Sequence, residues 1–269
     1  MKKGQVSIFI LLGLLVLLFI GFFLFYIQET GEPRPMTIRE DETDKTLNAL
    51  VLSCLEPIAE EALFVSAFQG GYIEFDDTKD TIDERQIHYY YYYRDVSPNL
   101  TFIYDLLEAY IITNTVTCIE ESTLFQTQNM TIHQTDASVL IFSEENTLID
   151  LTLPLTISTE GKTETLSAFT VTIPVAFEKM YAVAQQITAL VGESDPLTCM
   201  TCIHELATSL DMTITVNDYE QTADYYVLFD PHSIIYNVPL AFSFAVQTQQ
   251  DLDPTSRLYK NTGISLELP

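Results

Sequence analysis

The chain reads as an α+β protein: one N-terminal transmembrane helix, then an extracytoplasmic domain of antiparallel sheet packed with helices. Three observations predict this. A basic head precedes a long uncharged run within the first 27 residues, the middle alternates Thr, Val and Ile between polar turns, and helical and strand patterns fall in separate blocks. Separate blocks are what distinguish α+β from the strict strand–helix alternation of a parallel α/β sheet.

Met1-Lys2-Lys3-Gly4 is the basic head, and Gln5 to Ile27 contains neither a charge nor a proline. At about 1.5 Å per residue such a run spans the ~30 Å hydrocarbon layer of a bilayer. Lys2 and Lys3 stay on the cytoplasmic side by the positive-inside bias, so the lipid bilayer is the first expected partner and the remainder lies outside. A cleavable secretory signal has an apolar region of about 7–15 residues and a small-residue cut site. This run is longer and ends in Phe25-Tyr26-Ile27 before Gln28-Glu29, so it reads as an anchor. Gly31, Pro33 and Pro35 make residues 28–43 a linker, and residues 44–269 the extracytoplasmic domain.

Within that domain Leu47, Leu50, Val51, Cys54, Leu55, Ile58, Ala62 and Leu63 recur at helical spacing, with Pro57 expected to interrupt or kink the helix and Gly70-Gly71 to end it. A second helix is predicted over Leu100 to Thr113, where Ile103, Leu106, Leu107, Tyr110 and Ile111 share a face. Thr131–Gln134, Ser138–Ser143, Leu148–Ile157 and Leu166–Val175 read as strands of an antiparallel meander. Helices at Phe177–Val191 and Leu197–Leu210 follow, and the tail returns to strands at Met212–Tyr219, Tyr225–Phe229 and Leu240–Gln247.

Charge narrows the function classes. After Ile27 the chain holds 10 basic and 38 acidic residues, a net charge near −28. Such a surface stays soluble but repels itself, and strong salt, with a Debye length of ~3 Å at 1 M, removes most of that cost. The composition, poor in Lys and free of Trp, suits a salt-loving host. Nucleic acid is excluded as a partner because phosphate binding needs a basic patch.

Four cysteines in an exterior domain read as two disulfides. Three pairings of Cys54, Cys118, Cys199 and Cys202 exist, and the nearest-neighbour solution, Cys54–Cys118 with Cys199–Cys202, is favoured. Cys199-x-x-Cys202 also admits a thiol–disulfide redox reading near a helix start, although the strand that precedes such a pair in thioredoxin folds is missing. Haem attachment fails because Ile203 separates Cys202 from His204.

Apart from that cysteine pair, no motif points to an enzyme, and none to a cofactor. G-x-S-x-G, G-x-x-x-x-G-K, G-x-G-x-x-G and H-E-x-x-H are absent, and His88, His133, His204 and His232 lack metal-ligand spacing. Asp76, Asp77, Asp80, Asp83 and Glu84 are dense but lack calcium-loop spacing. The candidate interaction residues are Tyr89, Tyr90, Tyr91, Tyr92 and Tyr93: alternation would place Tyr89, Tyr91 and Tyr93 on one sheet face and Tyr90 and Tyr92 on the other. Asn99-Leu100-Thr101 and Asn129-Met130-Thr131 are N-glycosylation sequons.

The residues Lys2-Lys3-Gly4-Gln5-Val6-Ser7-Ile8-Phe9 resemble the class III signal peptides of archaeal type IV pilin-like proteins. That resemblance implies cleavage between Gly4 and Gln5, which leaves the hydrophobic helix as the mature N-terminus, and it implies pilin-like or other surface proteins as partners. Leu52-Ser53-Cys54-Leu55, Gln69-Gly70-Gly71-Tyr72-Ile73, the Tyr89–Tyr93 run, Ser97-Pro98 and the stretch from Tyr110 to Cys118 are similar to a group of archaeal membrane-anchored surface proteins. This second resemblance implies location and architecture but no activity. The expected function is therefore a membrane-tethered extracytoplasmic structural or adhesive protein, with a pilin-like filament subunit and a redox protein using Cys199 and Cys202 as alternatives.

Overall fold

A computed structural model describes residues 40–73, 81–82, 86–92, 94–127, 130–159, 162–193, 200–219 and 223–247. The chain divides into two units, Met1–Lys45 and Thr46–Pro269. The apolar run, Gly4, Gln5 and the linker as far as residue 39 lie outside the described residues. What is described is α+β, in the order α1 (Glu40–Phe68), β1 (Thr81–Ile82), β2 (Ile87–Tyr91), α2 (Leu100–Glu121), α3 (Thr123–Thr127), β3 (Met130–Ile132), a 3-10 turn (Gln134–Asp136) and β4 (Ser138–Ser143). Then come β5 (Thr147–Thr159), β6 (Lys162–Ile173), α4 (Phe177–Glu193), α5 (Met200–Ser209), β7 (Thr213–Tyr219), β8 (Ala223–Ile235) and β9 (Val238–Gln247).

Helix α1 begins inside the expected linker, so residues 40–43 are helical. Pro57 sits within the helix without ending it. The buried stripe Val51, Leu55, Ala59, Ala62, Leu63 and Ala67 outweighs the one backbone hydrogen bond a proline removes. The helix closes with Gly70 at φ +70° and Gly71 at φ +94°, and the Gly71 N–H donates to Ser66 O at 2.6 Å. A Cβ on Gly70 would lie 2.8 Å from the backbone oxygen of Ser243, so the close approach of β9 as well as the dihedral demands glycine.

Helix α2 is capped by Asn99, whose Oδ1 accepts the Phe102 N–H at 2.8 Å. It runs to Glu121, beyond the expected end at Thr113, because Thr115, Val116 and Ile119 prolong the buried stripe of Ile103, Leu107 and Ile111. Among the described residues α2 is the one helix long and apolar enough to cross a membrane by length and composition. Its buried stripe belongs to the main core, and Cys118 bonds it to Cys54 of α1, so it is a core helix.

The first sheet centres on β5. β6 pairs along one edge, while β3 and β4 follow one another along the other edge, all antiparallel. The expected meander is corrected here: β3 and β4 pair with β5 and not with each other, since a strand of 13 residues accommodates both. Inward rows are Val139–Leu151–Phe169 and Ile141–Ile149–Val171. Pro154, inside this central strand, falls at the register shift between Thr152 and Leu155, where a missing N–H is tolerated.

The second sheet has the order β1-β2-β9-β8-β7. Its pairs are antiparallel except β2–β9, which is parallel and departs from the purely antiparallel expectation. Strand β8 extends well past Phe229, because Pro231 falls in the register shift between Asp230 and Ile234. Tyr236 and Asn237, both at positive φ, form the tight hairpin turn into β9.

The N-terminal end of α4 joins the two sheets through buried polar groups. The Ala176 N–H donates to Ser233 Oγ at 2.8 Å, and Ser233 donates to the buried Asp230 carboxylate at 2.5 Å. From the first sheet, Ser143 Oγ accepts the Glu178 N–H at 3.1 Å and shares a 2.8 Å bond with Thr147, whose hydroxyl donates to Val175 O. These groups partner one another, as burial in a low dielectric requires.

Candidate interaction surface

Strand register builds the surface that the tyrosine run foreshadowed. Tyr89 of β2 and Tyr225 of β8 both stand opposite Ala245 of β9, so the three form one row on one face of the second sheet. Ala245 is fully buried and both tyrosines are half-buried, which gives a small floor between two phenol rings. Tyr92, just past the end of β2 and 41% exposed, brings its ring centroid to 5.3 Å from Tyr89.

The simple alternation of the run does not hold. The register shifts between Tyr89 and Tyr91, and the strand stops at Tyr91, so the Tyr92 ring packs at a tilt beside Tyr89 instead of joining Tyr90. Tyr90 is entirely buried on the opposite face. Its hydroxyl donates to Gly70 O at 3.2 Å, and its ring packs against Phe244, Phe242 and Tyr181. It is a core residue and is withdrawn as an interaction candidate. Tyr91 is half-buried and packs against the main core, and Tyr93 lies outside the described residues. Tyr225 was missed because only strand pairing places it here, 136 residues after Tyr89; its sequence neighbourhood carries no signal.

Cys54 and Cys118 are bonded to each other, with Cα atoms 5.9 Å apart. Cys202 is also disulfide-bonded, and among the described residues no cysteine is free. Cys199 lies outside the described residues, as do Asn129 and the acidic group Asp76, Asp77, Asp80, Asp83 and Glu84. Asn99 is exposed, and its cap uses Oδ1, which leaves Nδ2, the atom a glycan would join, outside the capping bond.

One constellation not foreseen in the sequence has the residue types of a nucleophile set: Asp211, Asp230, His232 and Ser233. Its geometry is structural. Ser233 is buried and donates to Asp230, while His232 sits in solvent with Nε2 2.8 Å from Asp211 Oδ2. No imidazole reaches the serine hydroxyl in that arrangement, and a serine needs an adjacent base to act as nucleophile. Among the described residues no group of three His, Cys, Asp or Glu could hold a metal ion.

No protein family, no curated protein and no solved structure matches the chain.

Proposed function

We propose that the chain is a membrane-tethered surface protein whose α+β domain lies outside the cytoplasm and acts by contact with other macromolecules. The carrying observation is the division of the sequence: an uncharged run from Gln5 to Ile27 behind Lys2 and Lys3, followed by every acidic residue of the chain. The Cys54–Cys118 bond supports an oxidising compartment for the domain. The Tyr89–Ala245–Tyr225 row with Tyr92 is the contact surface in this reading, since half-buried tyrosines offer large contact area and hydroxyl partners at low entropy cost.

Removal of the first four residues by a pilin-type peptidase, at the bond between Gly4 and Gln5, is part of the proposal and rests on the sequence of the head. Two measurements on protein in its native membrane test it. Protease added to intact cells should strip the acidic domain, and mass spectrometry should find a mature chain beginning at Gln5. A domain cut only after lysis sinks the extracytoplasmic reading. An intact Met1 removes the peptidase and leaves a simple signal-anchor.

A further inference from the structure

The outer strands of the two sheets are treated unequally. β1 is only two residues long, and β7 has α5 beside it. The β3–β4 edge is broken by the 3-10 turn, and its Val139 N–H is taken by Glu108 Oε1 of α2 at 3.0 Å. These are ordinary ways of blunting an edge so that it recruits no further strand. Among the described residues β6 has none of them. It runs 12 residues, pairs only with β5 among the described residues, and from Thr165 to Ile173 contains neither a proline nor a charged residue.

We propose that the open edge of β6 pairs with the β6 of a second copy of this chain, antiparallel about a two-fold axis near Phe169, which makes one continuous sheet across two molecules. The ligand chemistry follows from the edge itself, because a row of unpaired backbone N–H and C=O groups is satisfied by another extended strand. Charge selects a second copy over a different partner. About a two-fold axis near Phe169 each residue faces the partner residue equally far beyond the axis, so a charged residue next to the axis would lie one diagonal step from its own copy. A chain of formal net charge −26 keeps this stretch uncharged, as self-pairing requires. A different protein would be steered to so acidic a molecule by opposite charges, and Thr165–Ile173 offers none. Ala168, Thr170 and Thr172 are exposed and small, so no bulky side chain obstructs the approach. The pairing does not depend on the membrane tether.

The test is sedimentation equilibrium of the full chain in a density-matched detergent at about 1 M salt, where screening removes most general repulsion. The wild type and Ala109→Glu, which adds the same charge on an exposed position of α2, should double in mass as concentration rises toward about 0.1 mM. Ala168→Glu and Ala168→Lys should each weaken association by about tenfold, because either charge would lie close to its own copy across the axis. Hydrogen exchange should slow over Thr165–Ile173 with rising concentration and stay unchanged over β7. A wild type that remains monomeric overturns the proposal. So does undiminished association of the Ala168 variants, which would place the contact elsewhere, or strengthening by Ala168→Lys, which would make net charge alone the cause.

Discussion

Tyr90 and Tyr181 show how single residues of this chain join burial to chemistry. Burial, with Tyr181, Tyr72 and Asp95 adding to it, pushes the Tyr90 phenol well above its ordinary value. The Tyr181 hydroxyl donates to Pro98 O at 2.6 Å and accepts from the Gln185 amide; burial and then Asp95 push its phenol up to about 12. Both groups keep their protons in the folded protein at pH values where the unfolded chain, with phenols near 10, has begun to lose them. The folded state therefore binds more protons in that window, and stability must fall as pH rises. Stability is expected to be level up to about pH 9.5, then to decline steadily toward pH 12. Denaturant titrations across that range check this, with phenolate absorbance followed in parallel. A flat profile between pH 10 and 12 would show that these phenols are not held in the core. The sequence made Tyr89–Tyr93 conspicuous but not the roles within it, because a register shift between Tyr89 and Tyr91 decides which ring faces which side, and a shift of that kind arises from pairing with β9.

Among the elements, α1 and α2 carry the covalent link that fixes their packing. The Cys54–Cys118 bond joins positions 64 residues apart. In the chain-entropy view a loop of that size restricts the unfolded state by about 4 kcal/mol. The double variant Cys54→Ala, Cys118→Ala should lose roughly that much in urea denaturation, with a steeper denaturant dependence because its unfolded state is less compact. A loss below about 1 kcal/mol would mean that the helix faces hold without the link. Elements with an amphipathic stripe were legible in advance: α1 by its Leu, Val and Ala spacing, and α4, whose Phe177, Met180, Ala184, Ile187 and Val191 are buried on one side. The C-terminal half of α2 was not. Thr113-Asn114-Thr115-Val116-Thr117 has poor helix propensity, and it is helical because Thr115, Val116 and Ile119 are buried in the core. Strands were found but their partners were not. The parallel β2–β9 pair and the shared edge of β5 depend on contacts distant in sequence, and Pro231 conceals strand continuity that a bulge restores.

For the whole molecule, the dominant fact is 38 acidic residues against 12 basic ones. The core that opposes this repulsion is one main cluster drawing on α4 and both sheets, including Phe177, Met180, Leu151, Phe169, Leu228, Phe242 and Phe244. The exposed His232–Asp211 pair contributes little against it, since solvent screens such contacts. Stability should therefore depend on salt in the direction opposite to that of a protein built on surface ion pairs. Raising chloride from about 0.1 M to about 1 M shortens the Debye length from ~10 Å to ~3 Å and removes repulsion among carboxylates that lie farther apart than that. The melting temperature of the full chain is expected to rise by on the order of 5 °C over that range, then to level off as screening saturates. Scans in sodium chloride and in sodium sulfate separate the causes: screening depends on ionic strength, whereas exclusion of sulfate from the protein surface keeps strengthening burial as concentration increases. A melting temperature that falls with chloride would mean that attractive pairs outweigh the excess of negative charge, and the acidic surface would then need an explanation other than tolerance of strong salt.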